Sequence, residues 1–178
     1  AFEKITVADA VNLLPGVTSS ITGARNEQTL SVRGLDIKRV PLFLDGIPIY
    51  VPYDGYPDLA RFTTFDLSEI VVSKGFTSVL YGPNSMGGAI NMVSRRPEKI
   101  FEGDIGTGIS SGDTYSGYAN LGTGHEKWYL QAGASYLDSD FFPLSDDFSS
   151  SKNENGGHRD NSSKQDTKIN LKAGFTPN

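Results

Sequence analysis

The spacing of hydrophobic positions changes near Pro97. Before it, short apolar runs are broken by Gly and Pro. After it, apolar and polar residues alternate over long stretches. In the first part, Val7, Ala10, Val11 and Leu14 recur at the helical period, which predicts a short helix over residues 6–14. Thr6 is placed to cap it, with Asp9 as the capping-box partner, and Pro15-Gly16 to end it. Residues 17–28 read as a strand entering a loop, and Leu30-Ser31-Val32-Arg33 as a strand stopped by Gly34. Val40–Leu44 and Ile47–Val51 read as a hairpin, because Asp45-Gly46 favours the two-residue turn that matches strand twist. Leu67–Glu69 predicts a helical turn and Ile70–Ser73 a strand. Residues 77–81 predict a further helical turn, and Ala89–Ser94 a last strand after Gly87-Gly88. The expectation for residues 1–99 is therefore a small α+β unit.

Residues 100–178 are expected to form antiparallel strands. Trp128, Leu130, Ala132, Ala134 and Tyr136 alternate with Tyr129, Gln131, Gly133 and Ser135. Ile169, Leu171, Ala173 and Phe175 alternate with Lys168, Asn170, Lys172 and Gly174. Phe101, Ile105 and Ile109 form a third stripe, and Tyr115, Ala119 and Leu121 a fourth. Four strands of roughly nine to eleven residues have the length that a tilted strand needs to cross a bilayer. Trp128 and Tyr136 close the two ends of one stripe, as aromatic girdles at both membrane interfaces would require. Links at Ser111-Gly112-Asp113 and Gly124-His125-Glu126 are short. The link from Asp138 to Asp166 is long, rich in Ser, Asp and Asn, and expected to lack regular structure. A soluble antiparallel sandwich alternates in the same way, so the pattern leaves two architectures open.

Composition narrows the function. The chain has 178 residues, 37% of them hydrophobic, which is enough to build a core. No apolar run is long enough for a transmembrane helix, and no leader peptide is visible. A formal charge of −5 argues against nucleic acid, whose phosphates need a basic face. There is no Cys, so disulfides and thiolate metal sites are excluded. His125 and His158 are far apart and lack carboxylates at ligand spacing, and Asp146-Asp147 reads as a solvated loop. No Ser/His/Asp set or carboxylate pair stands out, so neither an enzyme nor a resident metal or cofactor is expected. The glycine-rich Gly82-Pro83-Asn84-Ser85-Met86-Gly87-Gly88 lacks the Gly-Lys-Ser/Thr ending of a phosphate-binding loop.

LLPGV (Leu13–Val17), SVRGL (Ser31–Leu35), PLFLDGIPI (Pro41–Ile49) and IVVSKGFTSVLYGPNSMGGAINMVSRRP (Ile70–Pro97) occur in that order. Residues 3–97 resemble, on these motifs, the plug of TonB-dependent outer-membrane receptors. The resemblance implies an α+β plug domain followed by the first antiparallel strands of a truncated transmembrane β-barrel, itself about 22-stranded in full. It implies residence in the outer membrane of a Gram-negative bacterium, with membrane lipid around the strands. It also implies energised uptake of a scarce ligand, with a ferric siderophore the first choice. Cobalamin, haem or a glycan, or a plug-like signalling module without transport, are the alternatives. Energy would come from the TonB protein through an N-terminal box that the chain does not show. The unclosed sheet would leave bare edges through which the piece could self-associate.

The resemblance also singles out residues. Arg33 and Lys74 stand where relatives carry arginines that pair with barrel glutamates and lock the plug. Lys74-Gly75-Phe76 departs from the usual Arg-Gly-Pro, and a lysine lacks the bidentate fork of arginine. Arg25 lies in a loop that faces outward in relatives, and Tyr50, Tyr53, Tyr56 and Arg61 follow in a turn-rich stretch. These five are the ligand-binding candidates, because arginine suits anionic groups and tyrosine offers a flat apolar face with a hydroxyl.

Overall fold

A computed structural model describes residues 4–22, 27–53, 55–75, 82 and 85–177. The chain divides into two compact units, Ala1–Arg95 and Arg96–Asn178.

The first unit opens with a helix over Val7–Val11. Thr6 caps it as expected: its Oγ accepts the Asp9 N–H at 3.2 Å and donates to the Asp9 carboxylate at 2.7 Å. The helix is shorter than the predicted span. Asn12 ends it by turning its carboxamide oxygen to the Ser19 N–H at 2.9 Å, outside the helix. Val7, Ala8 and Val11 face the core, whereas Leu13 and Leu14 are exposed in the turn that follows.

The chain then runs through an antiparallel meander of β1 (Val17–Thr22), β2 (Glu27–Val32) and β3 (Leu35–Asp36). Arg33 is not the last residue of a strand. It occupies, with Gly34, a two-residue turn in which φ is +51° and +77°, the mirror-image turn that suits a twisted hairpin. A 3₁₀ turn over Ile37–Arg39 follows, capped by the Asp36 carboxylate on the Lys38 N–H at 2.9 Å.

A mixed sheet contains β4 (Leu42–Leu44), β5 (Ile47–Ile49), β6 (Leu67–Lys74) and β7 (Gly88–Ser94), in the order β5-β4-β7-β6. β4 and β7 run parallel; the other pairs are antiparallel. Asp45-Gly46 forms the expected hairpin turn, with φ of +52° and +79°. The turn is also bolted down: the Asp45 carboxylate accepts the Ser94 N–H at 2.8 Å and its hydroxyl at 2.6 Å, and the Gly46 N–H reaches Asn91 at 3.0 Å. Leu67–Glu69 is strand rather than helical turn, because β7 pairs with it across a bulge. The expected turn at 77–81 lies outside the described residues. Val7, Val11, Leu30, Val32, Val40, Leu42, Leu59, Ile90 and Met92 form the buried core between helix, meander and sheet.

The second unit is a four-stranded antiparallel sheet. β8 (Glu102–Ser110), β9 (Thr114–Gly124) and β10 (Trp128–Ser139) are joined by tight turns. After a long excursion the chain returns in β13 (Lys164–Phe175), giving the order β13-β10-β9-β8. The excursion is not structureless. β11 (Phe142–Pro143) pairs with β12 (His158–Arg159), and Ser151 bridges to Glu154. No helix among the described residues is long and apolar enough to cross a membrane, which says nothing of strands.

Candidate functional site

Three features carry chemistry: a polar cleft, a cationic corner and a sheet whose faces are inverted. The cleft lies in the first unit and measures about 550 Å³. Among the described residues, Ser20, Thr22, Glu27, Gln28, Thr29, Leu30 and Ser31 line it from β1 and β2, with Gly34, Asp36, Tyr56 and Pro57 beside them. Tyr56 donates its hydroxyl to the Asp36 carboxylate at 2.9 Å, and the Lys38 ammonium sits 4.0 Å from the centre of its ring.

Gln28 holds this region together. Its side chain donates to Asp9 at 2.9 Å and Ser19 at 3.2 Å and accepts from Thr6 at 3.3 Å. Its backbone N–H donates to Asp58 at 3.0 Å. The same Asp58 oxygen accepts the Ala60 N–H at 3.0 Å, capping the 3₁₀ turn Leu59–Arg61. One glutamine thus ties helix, meander and turn.

The ligand candidates separate. Tyr56 joins the cleft. Tyr53, 96% exposed, and Tyr50 stand out from the surface. Arg61 is exposed and 3.6 Å from Asp58. Arg25 lies outside the described residues. Asp36, Lys38, Asp58 and Gln28 were not singled out from sequence. Asp36 and Asp58 each precede a short apolar segment, so a search for turn caps finds them. Gln28 carries no such signal, because its partners lie up to 30 residues away.

Arg33 and Lys74 do converge. The Lys74 ammonium donates to the Pro15 carbonyl at 2.5 Å. Arg33 lies along Gly16, with its Cγ 3.6 Å from where a Cβ would stand there, and its guanidinium borders Gly75 at 3.4 Å on the same measure. Two cations therefore flank the Pro15-Gly16 turn.

The sheet of the second unit is turned inside out. Cross-strand register places Ile105, Ala119, Ala134 and Ile169 in one row, and Asp104, Asn120, Gly133 and Asn170 in the next. The apolar rows are the exposed ones: Ile105 is 79% and Ile169 83% accessible, while on the other face Gln131 is 5% accessible. Tyr118 and Tyr129 lie on this polar face, close over Gly106 and Gly174 of the neighbouring strands. A soluble sandwich buries its apolar face. A membrane barrel shows that face to lipid and keeps polar residues inside.

Residues 2–89 match the family model described as the TonB-dependent receptor plug domain. The chain belongs to the TonB-dependent receptor family. It is 31% identical to the pesticin receptor of Yersinia pestis over 121 residues, 66% of this chain and 18% of that receptor. The plug and its following strands thus span about a fifth of the curated relatives they match. Among solved structures, the pyoverdine outer membrane receptor FpvA from Pseudomonas aeruginosa PAO1 is 26% identical, with a TM-score of 0.59 over 76% of this chain and 20% of that one. The FrpB iron transporter from Neisseria meningitidis gives a TM-score of 0.79 over 98% of this chain and 27% of that one; at 17% identity it speaks to the fold alone. An α+β plug followed by antiparallel strands is the shared architecture.

Proposed function

We propose that this chain is part of an outer-membrane receptor of a Gram-negative bacterium that takes up a scarce ligand, with a ferric siderophore as the preferred cargo. The observation that carries this reading is the sheet with its apolar face outward and its polar face inward, directly downstream of a plug fold. Such a sheet is stable against lipid and costly in water. Named relatives include a pesticin receptor and a pyoverdine outer membrane receptor, and the second of these supports the siderophore preference.

On this reading the plug blocks a barrel of which β8, β9, β10 and β13 are four strands. Energy arrives through TonB. Arg33 and Lys74 act as the plug's lock on acidic groups of the barrel wall, and Tyr50, Tyr53, Tyr56, Arg25 and Arg61 face the ligand. In this piece β8 and β13 carry open edges, so detergent-free buffer should drive it to self-associate. A clean monomer on size-exclusion chromatography would contradict that.

The decisive experiment is growth under iron limitation on a supplied ferric siderophore, with the full-length receptor deleted and restored. Growth that is lost on deletion and returns on restoration supports the reading. Equal growth with and without the receptor on every chelate tried removes the siderophore assignment.

A further inference from the structure

The sequence holds one Asn-Gly step, Asn155-Gly156. It lies in the excursion between β10 and β13, and Asn155, Gly156 and Gly157 are all exposed. The Asn155 carboxamide donates to the Asp160 carboxylate at 3.4 Å, a length at which a hydrogen bond holds its donor weakly. Among the described residues, nothing accepts the Gly156 N–H. Nothing lies within 4 Å of where a Cβ of Gly156 would stand. The Gly156 nitrogen is therefore open to the Asn155 side chain: glycine leaves the backbone free to rotate, and no β-carbon shields the approach. The neighbouring asparagines differ. Asn153 precedes Glu154 and Asn161 precedes Ser162, each with a β-carbon in the way. Asn91, Asn120 and Asn170 are fixed in strands.

We propose that Asn155 is a site of spontaneous covalent modification, which converts it through a cyclic imide to isoaspartate and aspartate. The Gly156 nitrogen gives its proton to solvent and attacks the Asn155 Cγ. The N–Cγ bond forms, the Cγ–Nδ2 bond breaks, and Nδ2 leaves as ammonia with a solvent proton. Water then adds to one of the two imide carbonyls. Opening at Cγ gives aspartate; opening at the main-chain carbonyl carries the chain through the side chain and gives isoaspartate. No oxidant or reductant takes part.

The product changes the hairpin it sits in. The amide donor to Asp160 becomes a carboxylate, so an attractive contact turns into one between like charges. Asp160 is itself tied to this turn, its N–H donating to the Glu154 carboxylate at 2.7 Å. Isoaspartate also adds a methylene to the backbone just before Gly157, whose carbonyl accepts the Leu144 N–H at 3.0 Å. That bond continues the β11–β12 pairing of Pro143 with His158. Conversion at Asn155 thus charges the hairpin and loosens its closing end. The modification stands apart from the uptake reading, and neither depends on the other.

The test ages the full-length receptor in detergent micelles in mildly alkaline buffer, where the Gly156 N–H gives up its proton more readily. Fragment-ion mass spectrometry follows each asparagine, and enzymatic methylation of isoaspartate gives a second readout. Asn155 should convert at least about tenfold faster than Asn153 and Asn161. Gly156→Ala meets open space and should keep the fold, shown by unchanged Leu144 amide exchange in the fresh protein; it should slow conversion about tenfold. In the converted wild type the Leu144 amide should exchange at least about threefold faster, and in Gly156→Ala aged alongside it should not. Conversion of Asn155 no faster than that of Asn161 overturns the site, as does a Gly156→Ala rate within about twofold of wild type. Unchanged Leu144 exchange in fully converted protein overturns the loosening of the hairpin.

Discussion

Replacing Gly88 with alanine should unlatch the plug sheet, and the size of the effect follows from two independent costs. Gly88 opens β7 with φ at +128°, a conformation that L side chains rarely adopt. A Cβ built there lies 2.0 Å from the Ser73 carbonyl oxygen of β6, with the Lys74 Cα 3.3 Å away. The backbone term costs about 1–2 kcal/mol. The clash is with main chain, so no side chain can swing clear, and β6 or β7 must move. That adds about 1–3 kcal/mol, as overpacking does. The sum, about 3 kcal/mol, is a large part of the stability of a small domain. Gly46 is the control. Its φ is +79° but nothing lies within 4 Å of its missing Cβ, so Gly46→Ala should cost only the backbone term, about 1 kcal/mol. Native-state hydrogen exchange at the Ile90 and Met92 amides of β7 reads the opening of this sheet. Gly88→Ala should speed their exchange about 100-fold and Gly46→Ala less than about tenfold. Equal rates for the two variants would refute the steric half of the reasoning. A Gly88→Ala rate within about twofold of wild type would refute both halves.

Three further outcomes are expected. Gln28→Ala removes the side-chain links to Thr6, Asp9 and Ser19 and should lower plug stability by about 2 kcal/mol, read as a denaturation midpoint shift; an unchanged midpoint would show that the network is idle. Asp45→Ala frees both Ser94 groups from the hairpin turn and should cost about 1–2 kcal/mol, with Asp45→Asn intermediate in the same measurement. Ile169→Arg puts a charge on the exposed apolar face and should reduce insertion into lipid vesicles by about 2–4 kcal/mol at mid-depth. Asn170→Ser, one residue on and facing the other way, should leave insertion unchanged; better behaviour of Ile169→Arg in water without loss of insertion would count against a lipid-facing sheet.

Local chemistry announced much of the plug. The Thr6 cap, the Asp45-Gly46 turn and the alternation from Trp128 to Tyr136 rest on short-range rules, and each is found in the structure where the residues placed it. Boundaries that depended on distant partners were harder to read. The helix stops at Val11 because Asn12 answers to Ser19, and Leu67–Glu69 is strand because β7 lies beside it.

By itself, the sequence determined where the chain turns, which residues alternate, and which family its motifs resemble, because these depend on neighbours along the chain. Alternation has the same form in a water-soluble sandwich and in a membrane barrel, so it left open which face looks outward. Only the tertiary structure decided that, by placing Ile105, Leu121 and Ile169 on the accessible side and Asn120 and Gln131 on the covered one. The cleft needed the fold as well: its walls at Gln28, Asp36 and Tyr56 meet through hydrogen bonds and packing between segments that sequence spacing does not connect.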